Sequence, residues 1–388
     1  MANTGFIDTA RRQIRLMCSR KMYLFGMILV PIFVAVFFLD LLWPGLPLNV
    51  PTAVVDLDHS EMSRQVTRSL NATELLDVKV EVESYDQALE KVRTGEVFGF
   101  FVIPANFQRD ALAGNSPTLE YYSNMTYFVP GTLAFKGFKS VAVATAGGVI
   151  QNVLSSMGVA PQASEALIKP LDLGINAIGN PWMNYSYYLT PSFSMATFAL
   201  MVMLMTVFTI TIEIKHDTSR QWLATAHDNI WVALAGKLLP MTVIFSAVGL
   251  FILWLLFGWR HFPMNGSLGA VVAATLLMVP AYQMFAVFIC SVLPNPRLAF
   301  SICSLFGILS FSFTGFSFPV EDMYGALAVF SYLAPVRYWL LIYFNEALNG
   351  YPLFFSRYYF VALILFSLFG GILVARLKRA CLKPVYVP

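Results

Sequence analysis

The chain has 388 residues, 57% of them hydrophobic and only 12% charged, with a formal net charge of +3. Soluble domains carry about 25% charged residues, so this composition excludes a soluble globular protein and implies a polytopic membrane protein. The near-neutral balance gives no footprint for nucleic acid. The four cysteines (Cys18, Cys290, Cys303, Cys381) show no metal-ligand spacing.

Residues 4–22 alternate apolar and basic positions at helical spacing. Phe6, Ile7, Ile14, Met17 and Cys18 can share one face, with Arg11, Arg12 and Arg15 largely off it. The pattern reads as an interfacial helix on the inner leaflet, or as one that also meets a cytoplasmic partner. Span 1 follows at Leu24–Leu42. Its apolar run is too long for a signal peptide, and no small-residue cleavage site precedes Trp43-Pro44, so it is read as a retained anchor.

From Pro44 to Tyr188 the text changes: 14 of the 22 acidic and 9 of the 25 basic residues lie in this block, which has no cysteine. Strands are expected at Thr52–Val55, Val78–Val82, Val97–Ile103 and Thr118–Tyr122. Helices are expected at Ser60–Leu70, Asp86–Arg93, Phe107–Ala113 and from Gly131 to about Met157. A return punctuated by Pro and Gly runs from Pro161 to Pro181. Alternating strands and helices imply a small α/β domain.

Five further spans are expected at Thr190–Ile212, Leu238–Trp259, Leu268–Leu293, Leu298–Phe316 and Tyr358–Ala375, each close to the ~20 residues that cross ~30 Å of hydrocarbon. Ala326–Phe344 is apolar but interrupted by Pro335 and Arg337, and reads as a re-entrant or interfacial hairpin. Thirteen Lys and Arg residues fall on one side of this scheme, against Arg260, Arg337 and Arg357 in short loops on the other. The positive-inside rule then puts both termini in the cytoplasm and the polar block outside. The expected fold is a six-span α-helical membrane protein with an α/β extracytoplasmic domain inserted between helices 1 and 2. Its parts are the N-terminal helix (1–22), helix 1 (23–43), the outer domain (44–188), a five-helix region (189–376) and a tail (377–388).

No catalytic or metal constellation emerges. The four histidines are scattered over three loops, and Asp56 with Asp58 reads as turn and cap chemistry or as a ligand site. Gly236-Lys237 lacks the glycine five residues before and the Ser/Thr after that a phosphate-binding loop needs, so ATP would have to be bound by another chain. The loop 213–237 is more informative. It leaves span 2 with charge and then carries an amphipathic segment, Thr218–Thr225, with Trp222 and Leu223. This is either a short helix on which a partner's motion would push, or a solvated loop with Trp222 anchored at the interface. Glu213, at the membrane boundary, is expected to pair with Lys215 or with a basic group of the N-terminal helix.

The order of parts resembles the ABC type-2 exporter permeases over essentially the whole chain. Within it, PTAVVDLDHSEMSRQVTRSL looks like that family's opening outer segment. Ala88, Leu89, Gly95, Ile103, Pro104 and Phe107 match its next one. Gly236–Pro240 opens span 3 as in the family, and Phe318-Pro319 with Pro335 mark the outer re-entrant segment (317–345). The loop departs from the family pattern in having Asp217 and Thr218, and then Thr225-Ala226 rather than Thr-Pro.

The resemblance implies a permease subunit of an exporter in the bacterial inner membrane, moving amphipathic, drug-like or lipid-like substrates. ATP and Mg would sit on a partner ATPase, with no cofactor in this chain. It also implies a second permease chain (a copy or a paralogue), and it leaves room for a periplasmic adaptor and an outer-membrane channel. Glu213, Lys215, Asp217, Thr218, Arg220, Trp222 and Leu223 would couple to the ATPase. Thr197, Met201, Thr206, Ser301, Phe306, Ser310 and Thr314 would line a substrate path, although Ser and Thr are also ordinary packing residues between membrane helices. Phe318, Pro319, Glu321 and Arg337 would form an outer gate. The alternatives are an extracytoplasmic ligand sensor or a polytopic membrane enzyme not driven by ATP. An enzyme would need clustered carboxylates or histidines at the membrane face, and a sensor would need an output domain larger than the 13 residues after Ala375.

Overall fold

A computed structural model describes residues 2–158 and 178–383. It separates into two compact units: Met1–Gly45 with Ala177–Pro388, and Leu46–Asn176. The expected Pro161–Pro181 return falls largely outside the described residues, as does the end of the tail.

The first unit begins with α1 (Ala2–Ser19) and α2 (Lys21–Leu41). Arg20 between them is extended (φ −117, ψ 115), which breaks the helical path into an elbow. On α1 the buried side chains are the polar ones, Thr9 and Gln13, whereas Ile7 and Ile14 are about half exposed. The apolar face of this amphipathic helix is therefore not its face against protein.

The second unit holds a four-stranded sheet of order β2-β1-β3-β4, built from β1 (Val50–Asp56), β2 (Leu76–Val82), β3 (Gly99–Ile103) and β4 (Glu120–Ser123). β1 pairs in parallel with β2 and β3, while β4 closes the edge antiparallel. The connecting helices are α3 (Glu61–Asn71), α4 (Tyr85–Arg93) and α5 (Phe107–Leu112). Ser60 and Ser84 cap α3 and α4 by accepting from Ser63 N at 3.0 Å and Gln87 N at 3.4 Å. The central strands β1 and β3 are buried on both faces, so they read as largely apolar runs. Val50, Val54, Phe101 and Ile103 pack against Val66 and Leu70 of α3 and against Ala134 and Val141 of α6 (Phe128–Ser156). Ala53, Val55 and Phe100 pack against Ala88 of α4. The Asp56 carboxylate accepts from Asp58 N, His59 N and Ser63 Oγ, and Asp58 Oδ2 accepts from Gln108 N. Of the two sequence readings, the structure shows the turn and cap one. Among the described residues no group of three metal-ligating side chains assembles.

The first unit resumes with α7 (Ser186–Lys215), α8 (Ser219–Thr225), α9 (Ile230–Trp259), α10 (Leu268–Val292), α11 (Pro296–Phe313), α12 (Gly325–Ser331), α13 (Pro335–Asn349) and α14 (Leu353–Leu382). Helix α7 packs against α2, α10 and α11, and α10 packs against α7, α9, α13 and α14. These two are the inner helices. Among the described residues, seven helices are long and apolar enough to cross a membrane. Six correspond to the expected spans, and the seventh is α6, which had been counted with the polar block. The expected hairpin at Ala326–Phe344 is the pair α12 and α13, bent by 79° where Pro335 ends one helical path and starts the next.

The first unit also reaches further into the polar block than the composition shift indicates. Tyr185 N donates to Gly45 O at 2.8 Å, and Asn180 and Asn184 bond each other, which ties the approach to α7 onto the end of α2.

Helix α1 crosses α9 at a glycine. A Cβ on Gly236 would stand 2.8 Å from Thr9 Cβ and 3.0 Å from Phe6 O. Gly236→Val should therefore push α1 off α9 and lower stability by about 1–3 kcal/mol. Gly148→Ala, with nothing within 4 Å of the new carbon, should be neutral or slightly stabilising. Thermal melts in detergent, with limited proteolysis of α1, check both.

Candidate functional site

The basic end of the first unit is organised by one carboxylate. Glu213, in the last turn of α7, has a side chain only 2% exposed. Arg12 of α1 binds it bidentately, Nη1 to Oε1 at 2.6 Å and Nη2 to Oε2 at 2.8 Å. Lys237 of α9, also 2% exposed, donates from Nζ to Oε1 at 2.7 Å. The Thr218 hydroxyl donates to Oε2, and Thr218 N donates to Glu213 O at 2.9 Å. Three helices and the start of α8 thus converge on two oxygens. The paired fork geometry of Arg12 is one that a lysine could not reproduce.

Helix α8 is held on every side that faces the unit. Trp222 and Leu223 have no exposed surface. Trp222 Nε1 donates to Ala233 O at 3.2 Å, and the Lys237 ammonium lies 4.6 Å from the Trp222 ring centre, in cation–π range. Ser219 Oγ donates to Cys381 O at 2.7 Å and Arg220 Nε to Leu382 O at 3.1 Å, which fastens α8 to the end of α14. Thr225 Oγ1 meets Thr9 Oγ1 of α1 at 3.1 Å. The turns bracketing α8 use left-handed residues, Asp217 before it and His227 with Asp228 after it. Asp and His tolerate that conformation better than most side chains. Asn229 then caps α9 by accepting from Trp231 N at 3.0 Å.

Of the expected coupling residues, Glu213, Thr218, Trp222 and Leu223 face inward, whereas Lys215, Asp217 and Arg220 are exposed. Glu213 pairs with Arg12, one of the two expected partners, and not with Lys215. Trp222 is a core residue, not an interface anchor in a solvated loop. Lys237 was not expected as a second partner of Glu213. The available signal was a lysine flanked on both sides by apolar residues at the start of a span, where a buried acid makes it tolerable. Lys237 also belongs to the Gly-Lys pair considered as a phosphate site. Its ammonium is buried and consumed by Glu213, so this residue does not fit a nucleotide.

The expected path residues do not form one surface. Thr206 and Ser310 are buried and return their hydroxyls to Val202 O and Phe306 O of their own helices, both at 2.7 Å. Phe306 packs with tilted rings against Phe285 and Phe330, and Thr314 is buried. Thr197 and Met201 are half-buried, and Ser301 is exposed. At the expected gate, Phe318, Pro319 and Glu321 are exposed, and among the described residues no acid pairs with Arg337. Arg337 instead caps a helix end. Arg337 is 7% exposed, donates from Nη1 to Thr314 O at 2.9 Å at the end of α11, and lies over the Tyr332 ring. Carbonyls at a helix C-terminus lack amide partners and attract a cation. Gly315 (φ +96) leaves the space, since a Cβ there would stand 2.7 Å from Nη1.

The helical bundle and its ion-bound basic end define a multi-pass membrane protein. Residues 21–376 match the model of the ABC-2 family transporter protein family, and the chain belongs to that family. It is accordingly the permease subunit of an ABC transporter, a transport subunit and not an enzyme, and the family implies a partner ATPase subunit. Comparisons with curated proteins and with solved structures returned no match.

Removing the carboxylate should be costly because it strands two cations. Glu213→Leu should destabilise by about 3–5 kcal/mol, and adding Lys237→Met should recover much of that loss. Arg12, at 24% exposure, can turn to water in the double variant. Melting curves of the two single variants and the double variant, read as a cycle, check the coupling.

Proposed function

We propose that the chain is the membrane half of an exporter driven by a cytoplasmic ATPase that binds ATP and Mg, and that α8 is the element on which the ATPase acts. The observation that carries this is the fastening of α8. Glu213 and Thr218 tie its start to α7, Trp222 ties its middle to α9, and Ser219 ties it to α14. A load on its outer side would move those helices together. The residues available to the partner are the outward ones, Arg220, Gln221 and Ala224, while Trp222 and Leu223 transmit from behind.

In this reading both termini and α8 are cytoplasmic in a bacterial inner membrane, and Leu46–Asn176 is extracytoplasmic. A second permease chain completes the pathway. Helix α11 supports that placement, since its uncovered face carries Ser301 and Ser312 among Leu298, Ile302, Leu305 and Ile308. Hydroxyls spaced along an apolar face suit an amphipathic substrate, drug-like or lipid-like. A periplasmic adaptor and outer-membrane channel would receive it.

The test uses the outward face of α8. Gln221→Glu with Ala224→Asp should abolish co-purification of the ATPase and leave the melting temperature of the permease within about 2 °C, as expected for surface changes. Retention of the ATPase by this variant would sink the coupling assignment. Trp222→Asp would be uninformative, because it would bury a charge in the core.

A further inference from the structure

A groove of about 740 Å³ lies on the first unit where α1, the elbow, α2 and α9 meet. That volume falls within the roughly 300–1,000 Å³ range of small-molecule sites. Its walls are apolar and largely uncovered: Ile14 of α1, Leu24 of α2, and Leu239 and Val243 of α9 are between 49% and 62% exposed. Two cations stand at its mouth, Arg20 and Lys21 of the elbow. Among the described residues no acid pairs with either.

We propose that this groove binds one anionic glycerophospholipid, its phosphate at Arg20 and Lys21 and its acyl chains along α2 and α9, and that the lipid seats α1 against the Glu213 cluster. Each half of the site calls for half of that ligand. A soluble anion would use the mouth and leave the apolar walls bare. A neutral apolar partner would leave two cations unmatched, and a second copy of the chain would bring the same two cations.

The lipid also resolves the inverted burial of α1. The helix places its polar face inward, with Thr9 against Thr225 and Gln13 Nε2 donating to Thr209 Oγ1 at 3.1 Å. Its apolar residues Ile14 and Met17 turn to the groove instead. Lipid on one side and α9 on the other would clamp α1, which carries Arg12 to Glu213. This inference needs only the multi-pass membrane placement, so its failure is separable from that of the ATPase reading, which co-purification reports.

The experiment uses the full chain in nanodiscs of equimolar phosphatidylglycerol and phosphatidylcholine with identical acyl chains, followed by extraction and mass spectrometry of the retained lipid. The expected result is about tenfold enrichment of phosphatidylglycerol, given two basic residues at an anionic surface. Arg20→Gln with Lys21→Gln should bring the ratio to about one, and Val243→Trp should displace the lipid by filling the groove. Cys18 supplies a second readout, since it lines the groove and is the exposed cysteine, while Cys290, Cys303 and Cys381 are buried. Its alkylation by maleimide should be several-fold slower in phosphatidylglycerol than in phosphatidylcholine nanodiscs, and this difference should vanish in the double variant. Equal retention of the two lipids, or enrichment that survives either the charge change or Val243→Trp, would overturn the proposal. Slowing of Cys18 alkylation by soluble glycerol 3-phosphate alone would overturn it as well, by showing that a headgroup suffices.

Discussion

The basic end of the first unit depends on keeping one carboxylate charged where water does not reach it. Glu213 is almost fully buried, and a lone carboxylate there would cost several kcal/mol. Its partners are therefore obligatory, and they arrive from far along the chain, Arg12 from 201 residues away and Lys237 from 24. Helices α1, α7 and α9 cannot separate without exposing or stranding a charge. The same requirement sets the position of α8, because Thr218 completes the coordination and begins the helix that Trp222 fixes to α9.

Close backbone approach is the second condition. The carboxylate can be shared only if α1 reaches α9, and Gly236 at the crossing removes the Cβ that would hold them apart. Lys237, the next residue, then points at Glu213, so the Gly-Lys pair works as a packing and charge element together. At the far end of the bundle a different device handles a buried cation. Arg337 has no acid, and the exposed carbonyl end of α11 takes its place. Both solutions keep ionised groups inside an apolar bundle by supplying each with a directed partner.

The second unit rests on ordinary sheet chemistry. Its central strand is apolar on both faces because helices cover both, and Asp56, Ser60 and Ser63 form a local knot that ends β1 and starts α3. Those signals lie within a few residues of one another, which is why the strands, helices and caps of this unit were legible as text. The boundary of the unit was less so. The first unit resumes at Ala177 and includes the Tyr185–Gly45 hydrogen bond, although the polar composition runs on to Tyr188.

The sequence alone determined the membrane class, the six apolar segments it marked as spans, the strand–helix order of the polar block and the break at Pro335, because each is a local matter of period, length, cap or breaker. It also narrowed Glu213 to two partners. Tertiary structure decided which one it takes, added Lys237, and turned Trp222 and Leu223 from a docking face into core. It also seated the polar side of α1 inward. The reason is physical: an amphipathic pattern shows that two faces differ, but apolar surface can be covered by lipid as well as by protein. Which covers which is decided only when distant charges such as Arg12 and Glu213 meet.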